Sequence, residues 1–160
     1  MFKKILFFKI IFIFQIFSNV VFSHVIHYDK LNKLEFDLYR NNKFIGTHVY
    51  IFDRNDEHLT VKSKINFVIK KLGVTLYKYK AESTETYINN QFEKFSSTTK
   101  QNKKDKFCEI FKEGDEYFIK GSSYKGKAPS AFIIGTWWNH EIVKLPAQIS
   151  AVSGRIIKQT

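Results

Sequence analysis

Residues 59–87 read LTVKSKINFVIKKLGVTLYKYKAESTETY, and their alternation decides the fold. From Leu59 the odd positions are Leu59, Val61, Ser63, Ile65, Phe67 and Ile69. The even ones are Thr60, Lys62, Lys64 and Asn66, with Val68 as the exception. Side chains on a strand alternate between faces, so the pattern buries one face and wets the other. After Gly73 the alternation resumes, with Tyr77, Tyr79, Ala81, Ser83 and Tyr87 set against Lys78, Lys80, Glu82, Thr84 and Thr86. Leu72-Gly73 lies between the arms and reads as their turn, since Gly takes positive φ without penalty. At roughly 3.3 Å per residue each arm reaches about 40 Å, too long to stay flat under normal sheet twist. A long, curled antiparallel hairpin is expected.

Outward from this hairpin the same rhythm continues. Leu34, Phe36 and Leu38 alternate with Glu35, Asp37 and Tyr39, and Asn41-Asn42 turns the chain into a second strand, Phe44 to Phe52. Gly46 inside that strand predicts a bulge or a close backbone approach. Asn55-Asp56 leads into the long hairpin, and Asn89-Asn90 leads out of it, Asn being tolerant of the left-handed region. Strands over Phe92–Lys100, Lys106–Lys112 and Glu116–Lys120 follow, giving seven strands with no helical stretch between them. Gly121 to Pro129 reads as a loop, Trp138 to Val143 as one helical turn, and Pro146–Ser150 with Arg155–Ile157 as a last hairpin about Ser153-Gly154. The expected fold is mostly β: an antiparallel up-and-down meander curled into an open or half-closed barrel, preceded by an N-terminal signal helix. A sheet left open has an unpaired edge that must be blunted or paired.

The N-terminus reads as a signal peptide over residues 1–23. A basic Met1-Phe2-Lys3-Lys4 precedes an apolar run interrupted by Lys9 and Gln15, and Val21-Phe22-Ser23 offers a cleavage site before His24. The competing reading is a retained anchor, which the interruptions disfavour, because a spanning helix needs about 20 predominantly apolar residues. Residues 24–160 then form a single β domain, periplasmic or secreted. The formal charge of +11 falls to +8 once the three leader lysines are removed. Lysine dominates that charge, alongside much Ile, Phe and Asn, a bias typical of AT-rich codon usage. The lysines sit at alternate strand positions, as a solvated face requires, so a nucleic-acid partner is not expected. Cys108, the sole cysteine, excludes an intramolecular disulfide and reads as a small apolar strand residue.

Several segments together resemble an uncharacterised bacterial exported family, domain of unknown function 6134. They are Tyr39-Arg40-Asn41-Asn42-Lys43-Phe44-Ile45-Gly46-Thr47-His48, Leu72-Gly73-Val74-Thr75-Leu76-Tyr77-Lys78-Tyr79, Lys125-Gly126-Lys127-Ala128-Pro129, Trp137-Trp138-Asn139 and Ser153-Gly154-Arg155-Ile156-Ile157. The resemblance implies an antiparallel β-protein of the cell envelope and assigns no activity. Members usually continue for several strands past the position of Ile157, so it also implies a shortened C-terminus here.

No motif dictates a reaction: there is no phosphate loop, no cysteine pair for zinc and no Gly-x-Ser-x-Gly elbow. A non-enzymatic role without a cofactor is therefore favoured, in which the curled sheet shelters a lipid-like or other apolar small molecule against Phe67, Ile69, Tyr77, Tyr79, Trp137 and Trp138. Against this, the two Trp read as a structural plug and the strand aromatics as ordinary core, with Asn139 capping the helical turn. A rival class uses His140 and Glu141 hydrolytically, although neighbouring side chains are expected to point apart. Copper held by an N-terminal His24, with His27 or His48, is a further rival. A third reading is a structural module that pairs its free sheet edge with an envelope protein.

Overall fold

The computed structural model describes residues 30–159. The expected signal helix over residues 1–23, the cleavage site, His24 and His27 lie outside the described residues. Eight strands form one antiparallel sheet in sequence order: β1 (Lys33–Arg40), β2 (Lys43–Asn55), β3 (His58–Lys71), β4 (Val74–Ile88), β5 (Gln91–Gln101), β6 (Lys104–Glu113), β7 (Glu116–Gly121) and β8 (Lys125–Lys127). The sheet does not close into a barrel; β1 and β8 are its two edges. The meander thus has one strand more than expected, because Gly121–Pro129 is not all loop: Lys125–Lys127 adds to β7. Three residues with a central Gly carry no readable alternation, which is why the strand was hidden.

The turns follow local chemistry. Asn41-Asn42, Leu72-Gly73 and Asn89-Asn90 are two-residue turns with both residues at positive φ, a backbone twist matching that of the flanking strands. In the central pair Leu59 lies opposite Tyr87, Val61 opposite Glu85, Phe67 opposite Tyr79 and Ile69 opposite Tyr77, so the alternating apolar sets share one face. In β2, Tyr39 pairs with Phe44 and Leu38 with Gly46, leaving Ile45 as an extra, bulged residue. A Cβ on Gly46 would lie 2.6 Å from the Phe67 Cα, so the close approach expected there exists as well.

Beyond β8 the chain folds back as a second layer. β9 (Ile133–Ile134), β10 (Ala147–Ile149) and β11 (Ile156–Lys158) form a small mixed sheet, β9 running parallel to β10 and β11 antiparallel to it. The last hairpin is thus present, in its own sheet. A 3-10 turn over His140–Val143 lies between, capped by the Asn139 side chain, which accepts from the Glu141 N–H at 3.0 Å.

This layer builds two buried clusters against one face of the large sheet. Tyr50, Phe52, Leu59, Val61, Tyr87 and Trp138 form the first. Phe95, Cys108, Ile110, Ile119, Ala128, Ile134 and Ile149 form the second. Gly154 sits hard on β7: a Cβ there would lie 2.8 Å from Ile119 Cγ2, at a φ of +77° that L side chains rarely adopt.

Candidate functional site

Burial along the central hairpin falls off toward its turn. On the core-facing side of β3, Leu59 and Val61 are buried, whereas Ser63, Ile65, Phe67 and Ile69 are half-buried. On β4, Tyr87 and Glu85 are buried, whereas Ser83, Ala81, Tyr79 and Tyr77 are half-buried. The same face that makes the core therefore continues past it as a partly exposed surface. Phe67 stacks on Tyr79 with ring centroids 5.1 Å apart and tilts against Tyr77 at 5.8 Å, with Ile69 opposite Tyr77. These rings belong to neither buried cluster. Burial raises the Tyr79 pKa, a hydrogen bond with Thr99 opposes that, and Tyr77 adds to it. Tyr79 therefore stays a neutral hydroxyl beside an apolar surface.

A polar belt separates this platform from the core. His48 Nε2 lies 2.9 Å from Ser63 Oγ, and its Nδ1 lies 3.4 Å from the Tyr50 hydroxyl, which also donates to the Thr136 carbonyl. Burial lowers the His48 pKa, so the ring is neutral near pH 7. Ser97 donates to the Ala151 carbonyl and anchors the C-terminal layer to β5.

Of the residues expected to line a ligand site, Phe67, Ile69, Tyr77 and Tyr79 come together. The two Trp do not share a place. Trp138 is buried edge-on against Phe52 (5.7 Å) and Tyr87 (5.9 Å), its indole N–H bound to Glu85. Trp137 is 72% exposed at φ +70°. The plug role therefore falls to Trp138. Glu85, which by alternation shares the inward face of β4 with Tyr77, Tyr79, Ser83 and Tyr87, had no partner readable from sequence: it is a carboxylate 2% exposed, accepting from the Tyr87 hydroxyl at 2.8 Å and from Trp138 Nε1 at 2.9 Å. Burial raises its pKa while these hydrogen bonds pull it back. Its one sequence signal was an acid at an inward position of an otherwise apolar and hydroxyl-bearing row.

The expectation that His140 and Glu141 point apart is overturned. On the 3-10 turn His140 Nε2 lies 3.1 Å from Glu141 Oε1, and Lys144 Nζ reaches the same oxygen at 2.9 Å. Among the described residues no three His, Cys, Asp or Glu side chains gather into a metal-binding group. The Cys108 thiol is fully buried, and burial pushes its pKa up to about 12, so it is not a nucleophile.

The opposite face of the sheet, read from sequence as merely solvated, carries a groove of about 560 Å³ running from β2 to β6. Val49, Ile51 and Phe107 give it apolar patches, Lys62, Lys64 and Glu82 a charged wall, and Thr84 and Thr98 hydroxyls. Lys64 and Lys80 both reach Glu82 Oε1, at 3.4 and 3.3 Å, and Lys80 chiefly, then Lys64, holds that exposed carboxyl below its ordinary range. Much of the groove's charge is thus compensated internally.

Fold and site together define a non-closed antiparallel β-meander with a packed C-terminal layer and an aromatic surface continuing past its core. Residues 36–160 match the family model described as a domain of unknown function (DUF6134), and the chain belongs to that family. No curated protein and no solved structure matches it. Among the described residues no helix is long and apolar enough to cross a membrane, which leaves strand-based spanning unaddressed.

Proposed function

We propose that this protein is an exported envelope protein that binds an apolar or amphipathic small molecule on the uncovered half of its core-facing sheet surface. The observation that carries the reading is the Phe67–Tyr79 stack at 5.1 Å, half-buried beside Tyr77 and Ile69 where the buried core ends. Stacked rings on a rigid hairpin present a flat apolar area at little entropic cost, because strand pairing already holds their backbones. The hydroxyls of the half-buried Tyr79 and Ser63 lie at the border of that area and suit a ligand with one polar end. The basic, interrupted apolar leader at residues 1–23 supports export. Native mass spectrometry of the protein recovered from an envelope fraction tests the reading. Adducts of lipid-like mass, lost in a Phe67→Ser/Tyr79→Ala variant of unchanged fold, are expected. An adduct-free spectrum from lipid-replete envelope would overturn it.

A further inference from the structure

The β3–β4 hairpin outruns its neighbours. Pairing of β2 with β3 ends at Gly46 and Phe67, and pairing of β4 with β5 begins at Tyr79 and Gln101. Past those points Val68–Lys78, Ile69–Tyr77, Lys70–Thr75 and Lys71–Val74 pair as a two-stranded ribbon, with each other and with no flanking strand, and the last outside tie is Asn102, whose N–H donates to the Lys78 carbonyl at 2.8 Å. The three pairs beyond Lys78, at roughly 3.3 Å each, carry the tip about 10 Å past that tie.

The ribbon's tip is built against ordinary turn chemistry. The two comparable turns use Asn-Asn, but this one places Leu72 at φ +49°, 95% exposed. The left-handed conformation disfavours a residue with a branched apolar side chain, and exposure to water disfavours it again. Val74 and Leu76 beside it are also exposed.

Charge is segregated along the strands. The end carrying this tip bears Arg40, Lys43, Lys70, Lys71, Lys103 and Lys104, with Asp105 as the acid among them, 3.9 Å from Lys100. The opposite end carries Asp56, Glu57, Glu113, Asp115 and Glu116 in and beside its turns, with Arg54 and Lys112 as the cations among them. Between Asn66 and Lys80 there is no acidic residue at all. Tyr39 and Phe44 are exposed at the basic end as well.

We infer that the basic end is a docking surface for an anionic lipid bilayer, with Leu72, Val74 and Leu76 entering the headgroup region and the lysines resting on lipid phosphates. Charge complementarity selects this occupant: an apolar tip ringed by cations matches an apolar interior under a negative surface. A protein partner is an outcome the test separates. The acidic far end then points away from the membrane, which fixes the orientation. This goes beyond the ligand reading and stands without it.

The test is sedimentation of the full chain with vesicles of phosphatidylcholine containing phosphatidylglycerol, against vesicles of phosphatidylcholine alone. Binding to the anionic vesicles only, abolished by half-molar salt, is expected. Lys70→Gln/Lys71→Gln weakens it about 25-fold, since each lysine near an anionic surface contributes about a fivefold factor. Leu72→Asn, which restores the turn residue of the sister hairpins and relieves the backbone, also weakens it while leaving the fold intact. Tyr79→Ala leaves vesicle binding at the level of the parent chain, which separates docking from ligand capture. Equal binding to neutral vesicles, no binding to either, or binding that neither ribbon variant changes (as the shared N-terminal segment would give) overturns the inference.

Discussion

Trp138 Nε1 donates to Glu85 Oε1 across 2.9 Å, joining two buried side chains 53 residues apart. This contact ties the C-terminal layer to the centre of the large sheet. Its other carboxylate oxygen accepts from Tyr87, so one acid satisfies two buried donors. Leaving a buried donor without an acceptor costs about 1–3 kcal/mol. Glu85→Ala orphans both and is expected to lower stability by about 2–5 kcal/mol, read by urea denaturation.

The same carboxyl sets a pH dependence. Burial raises its folded pKa above the unfolded value, so between the two the native state holds more protons. Stability from this group is greatest below the unfolded value, near 4.5, and declines as pH rises toward the folded value. Glu85→Gln keeps an acceptor for Trp138 and removes the titration. Unfolding curves taken from pH 4.5 upward should show the decline in the parent chain, and the difference from the variant should isolate it.

His48 works in the opposite direction. Burial lowers its folded pKa below 6.5, so the unfolded chain takes up a proton first as pH falls. Stability from this group is intact above 6.5 and is lost as pH drops from there toward the folded value. His48→Asn should remove that loss, seen as a smaller fall in Tm between pH 6.5 and pH 5 than in the parent chain.

Cys108, fully buried with its pKa pushed up to about 12, should resist a thiol reagent in the native state and react once unfolded. Prompt native reaction in an Ellman assay would show that the C-terminal layer opens readily.

How much of this was readable beforehand differs by region. The Leu59–Tyr87 alternation specified a register, because a one-residue slip would have turned every apolar side chain to water, and Phe67 does face Tyr79. Asn-Asn and Leu-Gly marked turns for a local, conformational reason. Past Gly121 legibility was partial: the capped turn and the last hairpin were read, but Ile133–Ile134 is too short for any period, and Lys125–Lys127, which is β8 of the large sheet, reads as a polar loop. The Glu85–Trp138 pairing is a tertiary contact with no local signature. The separation of charge between the two ends was present in turn composition, but lysines counted by strand alternation hide what lysines counted by turn reveal.

Leu72 offers a prediction of its own. If its positive φ serves docking and not folding, Leu72→Asn should stabilise the isolated protein by about 1 kcal/mol, the scale of the left-handed penalty for a residue of this kind. Thermal unfolding without lipid measures it, and a rise of several degrees in Tm is expected for a domain of this size.

The most direct test of the ligand surface is an amide-resolved NMR titration with a short-chain lysophospholipid below its micelle threshold. The account predicts saturable shifts centred on Phe67, Ile69, Tyr77, Tyr79 and Thr99, lost in Tyr79→Ala. Shifts centred instead on Val49, Ile51, Thr84 and Phe107 would move the site to the groove on the other face and contradict it.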